Sequence, residues 1–323
     1  MRMRSLGTTG ITVSEVGFGA WGIGGWTAGQ ISYGSTSDAT SLAALDRAIE
    51  LGYRLIDTAP LYGLGHSEVL VGQAIRGRRD KVVLATKAGY RSYDTAPDYS
   101  PAAIEQSLMA SLKRLQVDHV DILQLHSPPI ALLEQQPEIV ECLQGLRQRG
   151  LIRTFGLSAS SPADAEVAIR VLGFPVVQAN FNMLDTRAVS GGLFAAARKG
   201  GAGVIARTPL CSGFLSGTMT AETVFPEGDH RCRWNGPQIR RWVEAANHVL
   251  ALAAAGPGQA AESALRFVLS FPDVSVVIPG IMTPAEAEQN GRAGAAGPLP
   301  EAVIEKILLY NQGYDGPGAS SGA

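Results

Sequence analysis

Residues 81–126 read KVVLATKAGYRSYDTAPDYSPAAIEQSLMASLKRLQVDHVDILQLH, and they hold one unit of the plan that governs the whole chain. The run 82–87 is short and apolar and ends in Lys87, and the run 122–126 ends likewise in His126. Between them Ser100-Pro101 opens a segment whose Ile104, Leu108, Leu112 and Leu115 fall on one helical stripe. Continuous apolarity over so few residues marks a strand covered on both faces. Strand, amphipathic helix and strand in succession predict two parallel strands joined by a crossover.

Working outward, runs of the same kind stand at 15–19, 54–57, 154–158, 176–179, 203–206 and 274–278, which makes eight in all. Leu42, Leu45 and Ile49 make another helical stripe, as do Ile139, Leu143 and Leu146. Ser67 with Glu68 behind it, Ser161-Pro162 and Thr283-Pro284 mark helix starts, and Gly52, Gly150 and Gly200 mark left-handed caps. Eight parallel strands close a barrel, so the sequence predicts an α/β fold, a (β/α)8 TIM barrel formed as one domain over 1–312. Residues 5–16, turning on Gly7-Thr8-Thr9-Gly10, read as a β-hairpin ahead of it, and 313–323 read as a flexible, disordered tail. An open doubly wound sheet is the competing fold. It calls for a glycine-rich phosphate turn early in the chain, and WGIGGWTAG at 21–29 lacks the ordered G-x-G-x-x-G. The long connection 217–238, containing FPEGDHRCRWNG, is expected to be functional.

The 323 residues carry 27 Lys and Arg against 29 Asp and Glu, a net charge of -2 that offers no bulk handle for nucleic acid or anionic lipid. With 46% hydrophobic and 17% charged residues, wholesale disorder is excluded. Cys142, Cys211 and Cys232 form neither a disulfide framework nor a zinc pattern. MRMRSLGTTG has no apolar stretch behind its basic residues, and the longest membrane candidate, 249–255, is far short of the roughly 20 residues a spanning helix needs. The expectation is a soluble cytoplasmic protein with no nucleic-acid or membrane partner.

The site of such a barrel forms where its strands end. The run at 54–57 ends in Asp57, followed by TAPLYG with Tyr62, so Asp57, Tyr62, Lys87 and His126 converge on one mouth. Each alone has an ordinary explanation as a turn, packing or solvated residue. Together they make a tuned acid–base device. A phenol ionises near 10, a neighbouring ammonium lowers that value, a carboxylate holds the ammonium charged, and an imidazole bonds a carbonyl oxygen. Such a set adds a proton to oxygen, and the electrons come from elsewhere.

DTAPLYG (57–63), ATKAG (85–89) and LQLHSPP (123–129) resemble the signature segments of the aldo-keto reductase family. LGTTGITVSEVGFGAWGIGG (6–25) resembles its opening hairpin and first strand. FGLSASS (155–161), VVQANFN (176–182), VIARTPLCSGFLSG (204–217) and VIPGIMTPAEAEQN (277–290) resemble its cofactor segments, and the likeness runs from about Arg4 to Leu309. It implies a (β/α)8 barrel that reduces an aldehyde or ketone, or runs the reverse, with extended NADP(H) and no metal. Tyr62 would be the general acid/base, Lys87 and Asp57 its charged partners, and His126 the group orienting a small-molecule carbonyl substrate.

Ser158 and Gln178 match the residues holding the nicotinamide carboxamide, although Ala159 stands where the family often has Asn. Arg207 stands where many members stack Tyr, as in one branch of the family. Leu210, Ser212, Gly213 and Leu215 match the segment around the pyrophosphate. Gly280, Met282 and Thr283 match the adenosine ribose region, and Gln289 and Asn290 the adenine contacts. No cation stands between Gly280 and Glu286. Glu286, facing the ribose, would repel a 2′-phosphate, so NADP(H) preference should be weak and NAD(H) use possible. Trp21, Trp26 and Tyr90 are expected to line the substrate site. Two other classes stay open: a lyase forming a Schiff base through Lys87, and a cofactor-binding regulatory, channel-subunit-like member with little turnover.

Overall fold

A computed structural model describes residues 1–25, 32–256 and 258–311. Met3–Ser5 (β1) and Thr12–Ser14 (β2) pair antiparallel as the expected hairpin. Eight strands follow: Phe18–Gly19 (β3), Leu55–Asp57 (β4), Val83–Ala88 (β5), Val120–His126 (β6), Ile152–Ser158 (β7), Val176–Asn180 (β8), Gly203–Arg207 (β9) and Val274–Ile278 (β10). Each pairs in parallel with the next, in sequence order. Single parallel bridges, Val16 to Val277 and Gly19 to Gly280, carry the ring across from the last strand to the first. The fold is therefore the (β/α)8 barrel, nearly closed.

The run at 15–19 forms a shorter strand than its apolarity suggests. Its backbone is divided between two neighbours: Gly17 N–H donates to Val277 O at 2.8 Å, while Ala20 N–H donates to Asp57 O at 2.9 Å. Leu55, Val83, Ala85, Ile122, Val176, Ile205 and Val276 fill the barrel's interior, and Leu6, Ile11 and Val13 of the hairpin plug it from below. A second, larger core lies between the strands and the surrounding helices. Both faces of each strand are covered, which is why the runs lack alternation.

Helix starts follow local hydrogen-bond chemistry. Ser100, Ser161 and Thr283 are N-caps, each ahead of a proline that fits the first turn. Ser67 is not a cap. The helix His66–Ala74 opens behind Gly65, and the Ser67 hydroxyl donates to Ala20 O at 2.8 Å. Gly52 and Gly150 take the left-handed conformation, but after Leu193–Gly200 that role falls to Gly201. The tail expected to be disordered at 313–323 lies outside the described residues, as does Trp26.

Candidate active site

At the C-terminal ends of β4 and β5, the Lys87 ammonium donates to Asp57 Oδ2 at 2.6 Å, to the Tyr62 hydroxyl at 2.8 Å and to Thr58 O at 3.1 Å. Asp57 and Lys87 are 2% and 1% exposed, so this ion pair is dry. Tyr62 opens a short turn, Tyr62–Gly65, whose shape depends on close backbone approach: Gly63 has φ 59, and a side chain there would collide with Gly24 O. The turn thus packs against the loop after β3 and carries the phenol over Lys87.

Asp57 is held from its other side as well. Its Oδ1 accepts from Gln124 Nε2 at 2.8 Å and Gln178 Nε2 at 2.9 Å, and Gln178 also donates to Gln124 Oε1 at 3.1 Å. Gln124 is fully buried and absent from the sequence reading. Its signal was a polar residue amid the apolar run of β6, which inside a barrel demands a partner.

Burial raises the Tyr62 pKa, and the Lys87 charge only partly counters it, so the phenol stays protonated at neutral pH. The net direction is opposite to the lowering expected from the lysine alone, because desolvation of phenolate outweighs the attraction. Burial would lower the Lys87 pKa, but Asp57 and then Tyr62 more than reverse this and keep it an ammonium. Burial, with Lys87 and Arg207 adding to it, drives His126 well below its ordinary value, leaving a neutral imidazole. That ring stands 6.2 Å from the Tyr62 ring and 5.5 Å from Tyr90, and its Nδ1 is buried with no partner among the described residues.

Along the adjoining strand ends, Ser158 closes β7 and Gln178 lies on β8, their side chains 3.4 Å apart. Arg207 ends β9, donates to Ala159 O at 2.9 Å and keeps a buried Nε unpartnered. Beyond it the loop from Leu210 to Leu215 turns through Ser212 (φ 54) and Gly213 (φ 95). A buried guanidinium donor without a partner, beside a turn with left-handed backbone at Ser212 and Gly213, fits an extended dinucleotide with an amide at one end and phosphates in the middle.

The stretch 280–290 is close by, since Gly19 N–H donates to Pro279 O at 2.9 Å. Glu286, considered in the sequence as a ribose neighbour, is engaged by its own helix start. Its Oε2 accepts from Met282 N at 2.7 Å and Thr283 N at 3.0 Å, completing a capping box on the helix Pro284–Ala296. Asn290 is buried, whereas Gln289 is half-buried and its amide reaches Gly258 O at 3.4 Å. Trp21 packs edge-on to Tyr33 at 4.7 Å and His230 at 4.8 Å, so the long connection 217–238 reaches back to the site.

The residues 15–308 match the family described as "Aldo/keto reductase family". The chain belongs to that family. It is 32% identical over 298 residues to aldo-keto reductase YhdN of Bacillus subtilis (strain 168), covering 89% of this chain and 87% of the relative. It is 30% identical over 308 residues to the NADH-specific methylglyoxal reductase of Escherichia coli (strain K12), covering 90% and 92%. In structure it is similar to the glycerol dehydrogenase AKR11B4 from Gluconobacter oxydans, with TM-score 0.78, 28% identity, and 95% and 94% of the two chains covered. Aldo-keto reductases are oxidoreductases of small carbonyl compounds and use nicotinamide cofactors. Among the described residues no helix is long and apolar enough to cross a membrane, and no three His, Cys, Asp or Glu are grouped to hold a metal.

Proposed function

We propose that this aldo-keto reductase interconverts an aldehyde or ketone and its alcohol with NAD(P)H, and that Tyr62 is its acid–base group. The observation that carries this reading is the Lys87 ammonium held at once by buried Asp57 and by the Tyr62 hydroxyl. When bound, the nicotinamide supplies or accepts the hydride at the carbonyl carbon. The proton is the work of the chain's own residues. The buried, protonated Tyr62 donates to the carbonyl oxygen as negative charge grows there, and Lys87 stabilises the phenolate left behind. Asp57 keeps Lys87 charged in a dry site, and Gln124 and Gln178 keep Asp57 in place. Neutral His126 donates a hydrogen bond to the same oxygen without adding a second positive charge.

Ser158 and Gln178 would hold the carboxamide, Arg207 the nicotinamide face, Leu210 to Leu215 the pyrophosphate, and Gly280 to Asn290 the adenosine end. NADP(H) is the favoured cofactor, with a weak preference over NAD(H). The Schiff-base reading is disfavoured because Lys87 is charged and fully engaged, and an ammonium has no lone pair for attack. The test is steady-state oxidation of NADPH and of NADH with a series of aldehydes and ketones. Carbonyl-dependent turnover that Tyr62→Phe abolishes supports the reading, and turnover that survives the substitution overturns it.

A further inference from the structure

At the opposite end of the barrel a cavity of about 520 Å³ opens beside the starts of β4 to β7, lined by Arg54, Arg79, Asp80, His119, Asp121 and Arg153 among others. Asp121 and His126 lie on the same strand, so this cavity is roughly 16 Å from the candidate active site at about 3.3 Å per strand residue. Asp121 is 2% exposed, and its carboxylate already accepts three hydrogen bonds. Oδ1 accepts from Arg153 at 2.8 Å, while Oδ2 accepts from Arg79 and from Leu84 N, each at 2.8 Å. Arg54 has no such partner: among the described residues no acceptor meets its guanidinium, and its Nε is buried without a hydrogen bond, as is that of Arg79. Asp80 is exposed and makes no ion pair with them. Three guanidinium groups therefore line one cavity beside one buried carboxylate; Arg79 also donates to Val82 O at 3.1 Å and His119 O at 3.3 Å, so the unspent donors are chiefly those of Arg54. Leaving such donors unmet is costly, and an anion with several acceptor oxygens relieves the cost.

We propose that this cavity is a second ligand site, for an oxyanion of the phosphate class, read by Arg54 with Arg79 and Arg153. The guanidinium fork matches two oxygens of a tetrahedral anion, which a single carboxylate such as Asp121 cannot supply to three arginines. The cavity is larger than one phosphate group, so both free phosphate and the phosphate of a monoester are admissible, and the test separates them. The inference is independent of the proposed chemistry at Tyr62.

The experiment is thermal unfolding of the full chain in saturating NADP+, so that a dinucleotide site is filled. Inorganic phosphate or glycerol phosphate is titrated at constant ionic strength against a chloride control. Saturable stabilisation is expected in the wild-type chain, with the apparent affinity falling at least about tenfold in Arg54→Gln and partly restored in Arg54→Lys. Arg153→Gln, a change at a half-exposed side chain, should weaken it less and guards against misfolding of the Arg54 variants. A stronger response to glycerol phosphate than to phosphate assigns a monoester, and the reverse assigns the free ion. A response equal in the wild-type and Arg54→Gln chains, or no saturable response, overturns the site.

Discussion

Asp57 divides its two oxygens between different duties. Oδ2 receives the Lys87 ammonium, and Oδ1 receives two amide N–H groups, from Gln124 and Gln178. The division matters because a free carboxylate oxygen could rotate toward Tyr62 and oppose phenolate. If Tyr62 is the acid, Tyr62→Phe should lower turnover on the order of 10²–10⁴-fold. Dinucleotide affinity, measured by tryptophan quenching, should hardly change. Alcohol oxidation needs phenolate, and burial already holds the Tyr62 pKa above its ordinary value. Lys87→Met removes the opposing charge, so the pH profile of oxidation should move to still higher pH while the rate falls. Gln124→Leu should move the same profile by a smaller amount, with the KM for dinucleotide nearly unchanged. An unmoved profile in both variants would leave these residues structural. Asp57, Tyr62, Lys87 and His126 were legible because each follows a recognisable strand end. Gln124 was not, because its partners are Asp57 and Gln178, far away in sequence, and only ring closure makes them neighbours.

At the scale of the element, Thr283 and Glu286 form a reciprocal cap, and this changes what a charge reversal there should do. If Glu286 faced the ribose with its carboxylate free, Glu286→Arg would improve NADPH affinity about tenfold or more. With the carboxylate tied to two backbone N–H groups, the substitution should give less than a tenfold gain and cost about 1 kcal/mol of stability through the lost cap. Parallel titration of NADPH and NADH, with a melting curve, separates the two effects. The long connection 217–238 behaves as an element of its own. His230 N–H donates to Ser32 O at 2.9 Å, and Arg231 is clamped by Asp229 at 2.6 Å and donates to Ser212 O at 3.1 Å. Burial pushes His230 down to about 4, and Arg231 helps hold the Asp229 carboxyl below its ordinary value despite burial. The unfolded His ionises near 6.5, so the folded connection loses stability as pH falls from there toward 4, and Asp229 acts in the same direction. Hydrogen exchange of residues 229–234 should therefore quicken between pH 7 and pH 5 relative to the barrel strands. His230→Phe should flatten that difference. Sequence marked the length and charge of this connection, but not its docking, which depends on rings contributed by Trp21 and Tyr33.

For the molecule as a whole, the weak place in a ring of strands is its seam. β3 is the shortest of the eight strands, and only single bridges join it to β10, so the closure needs support from outside the ladder. Arg4 on the hairpin provides it. Its guanidinium donates to Glu15 Oε1 at 2.8 Å, to Val274 O at 2.7 Å, to Phe271 O at 3.1 Å and to Leu269 O at 2.8 Å. One side chain thus ties the hairpin, the approach to β3 and the end of the helix Ala260–Leu269 leading to β10. The eight runs made the barrel legible, but nothing in their apolarity shows which side chain fastens the ring. Removing Arg4 takes a donor from three carbonyls and a carboxylate oxygen in a place where water has restricted access, and of these Phe271 O keeps the Val274 N–H at 3.1 Å. Arg4→Ala should therefore cost about 2–3 kcal/mol. At about 2.1 cal/mol/K of unfolding entropy per residue, roughly 1.5 °C per kcal/mol for a chain of this size, that lowers the melting temperature by about 3–5 °C. Arg2 is the internal control: it pairs with the same Glu15 at 2.9 Å, but its side chain is 48% exposed. Arg2→Ala should cost less than about 1 kcal/mol, as exposed pairs do. Differential scanning calorimetry of the two variants decides between the readings. Equal losses would mean that the hairpin holds the seam by its apolar plug, Leu6, Ile11 and Val13, and that the carbonyl bonds of Arg4 add nothing beyond a surface ion pair.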